Sequence, residues 1–247
     1  MLDAALTMAL AVAIGISLGV LGSGGSIVTL PVLVYVAGVP ANKAVGMSMA
    51  IVGATSLFGA LIQLRRGNVS IQAALIFAAT GMMGAFVGSV GTHLVSKRLL
   101  LLAFAGLMVL VGSFMLRGGL GRNRKAVCSI PRCLTVGFVV GILTGFLGVG
   151  GGFLIVPALV LSAGLDARLA GGTSLAVIAL NSAAGLVGQL RYTSLDWDLL
   201  ARFLCFALIG ILAGIALAHR LQETVLRRIF AVTLIVIAVV IAGLNVF

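Results

Sequence analysis

The chain contains the same segment twice, 126 positions apart. Residues 21–65 align with residues 147–191 without a gap, and 19 of these 45 positions are identical. The same offset carries three later residues onto identical partners: Gly84, Gly88 and His93 align with Gly210, Gly214 and His219. An internal duplication of this length predicts two structurally equivalent halves, because each copy of a repeat tends to fold into the same unit.

The composition indicates that both halves lie in a lipid bilayer. The chain is 62% hydrophobic and 9% charged, whereas a soluble domain carries about 25% charged residues. Glycine occupies 34 of 247 positions, and small residues let helices pack closely in lipid. The sequence therefore predicts an all-α polytopic membrane protein. Two apolar repeats are typical of secondary transporters, whose binding site lies between the halves.

Six apolar runs have the length of about 20 residues that a membrane-spanning helix needs. They are residues 44–64, 71–92, 99–116, 169–190, 198–218 and 225–245. Two pairs of shorter runs flank glycine-rich segments, so each pair is predicted to be two short helices that meet at a break inside the membrane. Such a break must be buried in protein or line a cavity. The pattern leaves open whether these short helices span the membrane or turn back.

The distribution of basic residues predicts the orientation. The linker 117–132 contains five arginines and lysines, which places it in the cytoplasm between an N-terminal repeat (1–116) and a C-terminal repeat (133–247). Following the spans outward gives 11 basic residues inside and 5 outside, with both termini outside. Each repeat then crosses the membrane an odd number of times, so the repeats are predicted to be inverted. This placement also explains the net charge of +11 without a nucleic-acid partner.

The glycine-rich breaks are the first candidate substrate site. The residues concerned are Gly24, Gly25 and Ser26 in one repeat and Gly150, Gly151 and Gly152 in the other. A helix N-terminus presents unpaired N–H groups and a partial positive charge, and glycine lets an anion approach them. Two such termini facing each other would bind an anion without a buried cation. The alternative is that the glycines only allow close helix packing.

Polar residues on the following long helices are the second candidate set. Ser48 and Thr55 in one repeat match Ser174 and Asn181 in the other, with Thr173 beside them. A spacing of seven places each pair on one helical face, where hydroxyl and amide groups could bind anionic oxygens. The alternative is that the hydroxyls bond to carbonyls of their own helix.

The ends of these helices carry a third repeated pattern. Gln63 and Arg65 match Gln189 and Arg191 at opposite membrane faces, which suits either gates that attract an anion or ordinary interfacial anchors. His93 and His219 are predicted to cap helix C-termini, and Ser70 and Asp196 to cap N-termini. The acids lie near segment ends and no metal-binding motif occurs, so no enzyme, metal or cofactor is expected. The three cysteines are expected to be free thiols.

Several motifs resemble the sulfite exporter TauE/SafE family of anion permeases. They are the glycine-rich break that ends in proline, the run Gly172-Thr173-Ser174-Leu175, and Leu195-Asp196-Trp197. The resemblance covers nearly the whole chain, and the second half matches better. The first half departs from the pattern at Ser26 and at Met47. Membership implies transport of sulfite, sulfoacetate or related organosulfur or carboxylate anions across the inner membrane.

These observations predict a transporter, and more specifically an exporter, of small anions that works by alternating access. An inside-negative membrane potential drives anions outward by about 2.3 kcal/mol per charge per 100 mV. An anion channel without alternating access and a membrane scaffold without transport activity are the alternatives.

Overall fold

The computed structural model of the chain describes residues 2–23, 25–91, 105–106, 108–110, 112–113, 116, 130–147, 152–189 and 196–246. The regular structure in these residues is helical, without a strand. The helices are α1 (Leu2–Leu21), α2 (Gly25–Pro31, continued by a π-helical segment Val32–Val36), α3 (Ala41–Arg65), α4 (Ile71–Gly91), α5 (Ile130–Leu147), α6 (Gly152–Ala163), α7 (Ala167–Gln189), α8 (Trp197–Arg220) and α9 (Glu223–Val246). The prediction of an all-α protein is confirmed.

Five of the six long apolar runs are helices of 21 to 25 residues, namely α3, α4, α7, α8 and α9. Within the described part of the chain, three helices are long and apolar enough to cross a membrane: Lys43–Arg65, Ala167–Val187 and Trp197–Arg220. Large apolar side chains such as Phe86 and Val187 are exposed on helix surfaces, as lipid contact requires. Most of the run 99–116 and of the linker 117–132 lies outside the described residues.

The first short helix pair turns back on itself. Gly22 ends α1 in the left-handed conformation (φ +75°), and its N–H donates to the Leu18 carbonyl over 2.8 Å. The chain then returns along α1, because a Cβ atom added at Gly25 would lie 2.5 Å from the Ile14 carbonyl oxygen. Helices α1 and α2 therefore form a hairpin, which answers for this half the question that the sequence left open.

Two pairs of close, parallel helices join the halves, and each pair contains one helix from each half. In the pair α1–α8, a Cβ atom at Gly15 would collide with the carbonyl oxygen of Ala207. In the pair α4–α5, a Cβ atom at Gly141 would collide with the carbonyl oxygen of Gly81. Gly141 and Gly81 are the positions that the 126-residue offset relates to Gly15 and Ala207. Gly15 and Gly141 are therefore equivalent glycines that make equivalent contacts. Gly15 of the first half packs on the second half, and Gly141 of the second half packs on the first.

The central helices α3 and α7 cross in opposite directions. A Cβ atom at Gly185 would lie 3.0 Å from the Sδ atom of Met49, and one at Gly172 would lie 3.2 Å from the Cβ of Gln63. The start of α3 thus lies beside the end of α7, and the end of α3 beside its start. The 126-residue offset relates α3 to α7, so this one pair of equivalent helices runs antiparallel.

The turns before α3 and α7 repeat as well. Gly38 and Gly164, which the offset makes equivalent, both adopt positive φ values of +68° and +62°. The following N–H groups donate across each turn in the same way, from Val39 to Leu33 over 2.9 Å and from Leu165 to Leu159 over 3.4 Å. Local backbone structure therefore follows the duplication seen in the sequence.

Two cap predictions are confirmed and one cysteine prediction is wrong. The Asp196 carboxylate accepts from the Leu199 N–H over 3.1 Å, and the Ser70 hydroxyl accepts from the Ala73 N–H over 3.4 Å. Cys205 is a free, exposed thiol, but Cys133 forms a disulfide. Disulfide formation depends on how closely two sulfur atoms approach in the folded chain, which the sequence spacing did not reveal.

Candidate functional site

The two short helices begin at the same place in the molecule. A Cβ atom added at Gly152, the first residue of α6, would lie 2.9 Å from the Oγ atom of Ser26 in the first turn of α2. Ser26 and Gly152 are equivalent positions of the two repeats. The first turns of α2 and α6 therefore meet.

Helix N-termini and serine hydroxyls are the polar groups of this junction. The first turns of two helices bring partial positive charge and N–H groups without intrahelical partners to one point. The Ser26 hydroxyl donates to the Ser23 carbonyl over 2.8 Å. The Ser23 hydroxyl is fully buried and has no hydrogen-bond partner among the described residues. Gly25, Ser26 and Gly152 are brought together here, while Gly24, Gly150 and Gly151 lie outside the described residues.

Ser23 is a polar residue of this junction that the sequence interpretation passed over. It lies between Gly22 and Gly24 in the predicted break, and that position was the available signal. A buried hydroxyl without a partner costs roughly 1–3 kcal/mol. Its free donor and acceptor are available to a bound ligand or an ordered water.

Ser174 bonds to the first break from α7, and Thr173 beside it bonds to the turn between α3 and α4. The Ser174 hydroxyl lies 2.9 Å from the Gly22 carbonyl oxygen and 2.8 Å from that of Gly171. The contact is tight, because a Cβ atom at Gly22 would lie 2.5 Å from the Gly171 oxygen. The Thr173 hydroxyl accepts from the Ser70 N–H over 3.0 Å and donates to its own helix. Both residues therefore bond to backbone at the point where the break meets α7.

The polar residues on α3 bond within their own helix. The Ser48 hydroxyl donates to the Val45 carbonyl over 2.8 Å, and the Thr55 hydroxyl donates to the Ile51 carbonyl. This matches the alternative interpretation of these hydroxyls, although their second lone pairs stay available as acceptors. Ser48 is not brought near Ser174, because the antiparallel crossing leaves it at the far end of α7, about 16 Å away along the helix axis.

Asn181 faces α4 from the middle of α7. A Cβ atom at Gly81 would lie 3.6 Å from its Nδ2 atom. Its Oδ1 atom is shielded from solvent and has no hydrogen-bond partner in the described part of the structure. The Asn181 side chain therefore offers an unpaired hydrogen-bond acceptor near the middle of α7.

The two residues of the first predicted gate are in different environments. Gln63 is buried, and its Oε1 atom accepts from the Asn68 Nδ2 over 3.2 Å, which fixes the turn after α3. Arg65 is exposed at the helix end. In the second predicted gate, the Gln189 side chain and Arg191 lie outside the described residues.

An apolar cavity of about 550 Å³ lies where α3 and α7 cross, next to α4 and α8. Apart from Ser182, the residues that line it are apolar. An anion would lose its hydration there without compensation, so this cavity suits acyl chains and does not suit the predicted substrate.

A basic cluster was also missed by the sequence interpretation. Arg168 donates from Nη2 to the carbonyl oxygen of Leu221 over 3.1 Å and so caps the end of α8. His219 lies in the last turn of α8, as predicted, and its Nε2 atom has no partner among the described residues. The turn that follows Arg66 lies at the same end of α7, because a Cβ atom at Gly172 would collide with the carbonyl oxygen of Asn68. The charge tally counts Arg66 and Arg168 among the basic residues inside, which was the available signal.

Comparison with known proteins agrees with this architecture. The family described as sulfite exporter TauE/SafE matches residues 7–241. A probable membrane transporter protein of Xylella fastidiosa strain Temecula1 is 35% identical over 237 residues, covering 92% of this chain and 90% of the relative. A second from Xylella fastidiosa strain 9a5c is 33% identical with the same coverage, 92% and 90%.

A more distant relative has the same description. The probable membrane transporter protein YdhB of Bacillus subtilis is 26% identical over 226 residues, covering 89% of this chain and 92% of the relative. No solved structure matches the chain. Since the family match spans nearly the entire sequence and the helical structure fits a membrane protein, the chain belongs to the sulfite exporter TauE/SafE family of membrane transporters.

Proposed function

We propose that this transporter moves small oxyanions, such as sulfite or an organosulfonate, across the inner membrane by alternating access, and that it exports them. The single observation that carries the proposal is the meeting of the α2 and α6 N-termini at Ser26 and Gly152. Two helix N-termini supply a positive potential that favours an anion over a cation or a neutral solute. The unpaired Ser23 hydroxyl supports the same interpretation, because an oxyanion could accept from it.

Alternating access requires two halves that can exchange conformations. The antiparallel crossing of α3 and α7 and the matching glycine contacts of the pairs α1–α8 and α4–α5 support an inverted repeat with boundaries 1–116 and 133–247. In an inverted repeat, the inward-open and outward-open states are near mirror images in which the two halves trade roles. The substrate would then bind on the axis between the halves, where Ser26 and Gly152 meet.

The orientation in the membrane rests on the charge tally. The basic linker 117–132 favours the cytoplasm, whereas disulfides are rare in that compartment, so the disulfide at Cys133 counts against it. The test uses a variant in which Cys128, Cys133 and Cys205 are replaced by serine and Arg122 by cysteine. Labelling of this single cysteine with a membrane-impermeant maleimide reports the side on which the linker lies. Labelling only after the cytoplasmic face is opened supports the proposed orientation, and labelling from the outside of intact cells contradicts it.

Flux in proteoliposomes tests the function. Vesicles loaded with unlabelled sulfite should take up radiolabelled sulfite faster than empty vesicles, because exchange returns the carrier loaded. Flux that shows no saturation and no trans-stimulation would favour an anion channel, and no flux of sulfite, sulfoacetate or other small anions would favour a scaffold.

A matched pair of variants ties the flux to the proposed site. Gly152→Val puts a branched side chain where the Ser26 hydroxyl lies and should abolish flux. Gly243→Val adds the same side chain in α9, where a Cβ atom meets nothing within 4 Å, and should leave flux intact. Normal sulfite affinity in a correctly folded Gly152→Val protein would contradict the proposed site.

A further inference from the structure

Three basic residues lie where the end of α3, the start of α7 and the end of α8 come together. Arg66 directly follows α3, Arg168 lies in the first turn of α7, and His219 lies in the last turn of α8. The Nη2 atom of Arg168 donates to the carbonyl oxygens of Ala218 and Leu221, which lie on either side of His219. The turn that follows Arg66 packs on the same end of α7, because a Cβ atom at Gly172 would collide with the carbonyl oxygen of Asn68. Because each residue comes from a different helix, the fold itself brings them together.

Two nitrogen atoms of this cluster are left without partners. The Nε atom of Arg168 and the Nε2 atom of His219 are shielded from solvent and make no hydrogen bond to any described residue. Capping of α8 occupies only the Nη2 atom of Arg168. Buried polar atoms in native proteins nearly always have partners, and exceptions often mark a bound water or ion.

The positive charge of the cluster is also uncompensated. In the described residues, the salt bridge present joins Arg202 to Asp198 at the opposite end of α8, and none involves Arg66, Arg168 or His219. Asp166 lies two positions before Arg168 but makes no salt bridge in this part of the chain. Arg66 is itself exposed, and its exposed neighbours Arg65 and Arg220 add further positive charge.

The cluster belongs to one half of the repeat only. The 126-residue offset relates Arg66 to Tyr192, Arg168 to Asn42 and His219 to His93. The equivalent positions therefore keep the histidine and lose both arginines. A residue that both halves needed for folding would recur in both halves. We therefore infer that the two arginines have a role at one face of the membrane only.

We propose that Arg66, Arg168 and His219 form a second anion site that binds an oxyanion group at this face. Guanidinium and imidazole N–H groups form strong, charge-assisted hydrogen bonds with such oxygens. The oxyanion can come from free sulfite or sulfonate captured before transport, or from the phosphate of a lipid headgroup. The capture role rests on the proposed function, whereas oxyanion binding at the cluster does not.

Binding to the purified full-length protein tests the inference. In dodecyl maltoside, which contains no phosphate, sodium sulfite is titrated calorimetrically against Arg66→Gln and His219→Gln. Added phosphatidylglycerol is counted on the same proteins by native mass spectrometry. Arg220→Gln is the matched control, because it removes a charge beside His219 from an exposed side chain. Arg66→Lys should restore part of the binding, since it restores the charge without the planar donor group.

A loss of about tenfold or more in sulfite affinity, absent from Arg220→Gln, would support the site with free anion as its ligand. Loss of one bound phosphatidylglycerol with unchanged sulfite affinity would support it with lipid phosphate as the ligand. If neither changes in folded variants with unaltered melting temperature, the inference is overturned. Sulfite flux in the same preparations separates the proposals, because flux can persist when the cluster binds nothing, and the cluster can bind when flux is absent.

Discussion

Replacing Gly152 by alanine should destabilise the transporter, and a second change at Ser26 should relieve much of the damage. The new Cβ atom would lie 2.9 Å from the Ser26 Oγ atom and 2.9 Å from the Ile178 Cδ1 atom. Both distances are shorter than normal van der Waals contact. Because both atoms end side chains that can turn away, the cost is at the low end for overpacking, about 1 kcal/mol. At roughly 2–4 °C per kcal/mol for a chain of this size, the melting temperature should fall by about 2–4 °C.

Ser26→Gly removes the closer polar neighbour. By itself it loses the hydrogen bond to the Ser23 carbonyl and loosens the backbone of α2, at a cost of about 1 kcal/mol. In the double variant Ser26→Gly with Gly152→Ala, the alanine methyl occupies space that the serine has left, while the flexible end of Ile178 yields. We therefore expect the double variant to be more stable than the sum of the single effects by about 1 kcal/mol.

The assay is a double-mutant cycle on detergent-purified protein. Melting temperatures are measured by intrinsic fluorescence at a single heating rate. Membrane proteins often unfold irreversibly, so only melting temperatures from scans at the same rate can be compared. Sulfite flux is measured on the same four proteins. Gly243→Ala is the control, since a Cβ atom there meets nothing within 4 Å. Strict additivity of the two changes would refute the argument that Ser26 and Gly152 occupy one shared space.

Three further predictions follow from the same structure. Gly15→Ala should abolish folding, because the new Cβ atom meets a backbone oxygen that cannot move away, and a stable Gly15→Ala protein by size-exclusion chromatography would contradict the close pairing of α1 with α8. Asp196→Ala should lower the melting temperature by about 2–4 °C, because it removes an N-cap worth about 1 kcal/mol. Asp196→Asn keeps an oxygen that can accept the same bond and should not lower it. Equal melting temperatures for the two variants would contradict the cap. Spin labels at Leu64 and Leu190 should change water accessibility in opposite directions when sulfite is added, and simultaneous exposure of both in a conducting protein would favour a channel.

The sequence predicted the helices well because lipid imposes a simple rule on them. A span needs about 20 apolar residues, so runs such as 71–92 and 198–218 had clear lengths and correspond to α4 and α8. The runs beside the first break were harder. The first apolar run ends at Leu21, as α1 does, but nothing in the hydropathy says that the chain then doubles back. That turn depends on the left-handed Gly22 and on contacts with α7 far along the chain.

The polar residues show a similar division. The repeat correctly drew attention to Ser26 and Gly152, because a duplicated feature in a transporter tends to lie at the contact between halves. It could not tell how each hydroxyl would be used, since Thr55 has a carbonyl of its own helix within reach whatever surrounds it. The cluster of Arg66, Arg168 and His219 was invisible to repeat analysis for the opposite reason, because it is absent from the other half.

The pairing of helices from different halves, α1 with α8 and α4 with α5, constrains the order in which the protein can assemble. Gly15 packs against α8 at Gly210, which the ribosome makes 195 residues later. At about 5–20 residues per second, α1 waits roughly 10–40 s in the membrane before its partner exists. During that interval the glycine face of α1 lacks its partner helix, so α1 must be inserted before it can pair with α8. Neither half can complete its fold alone, and two separately expressed halves should become stable only when both are present in one membrane.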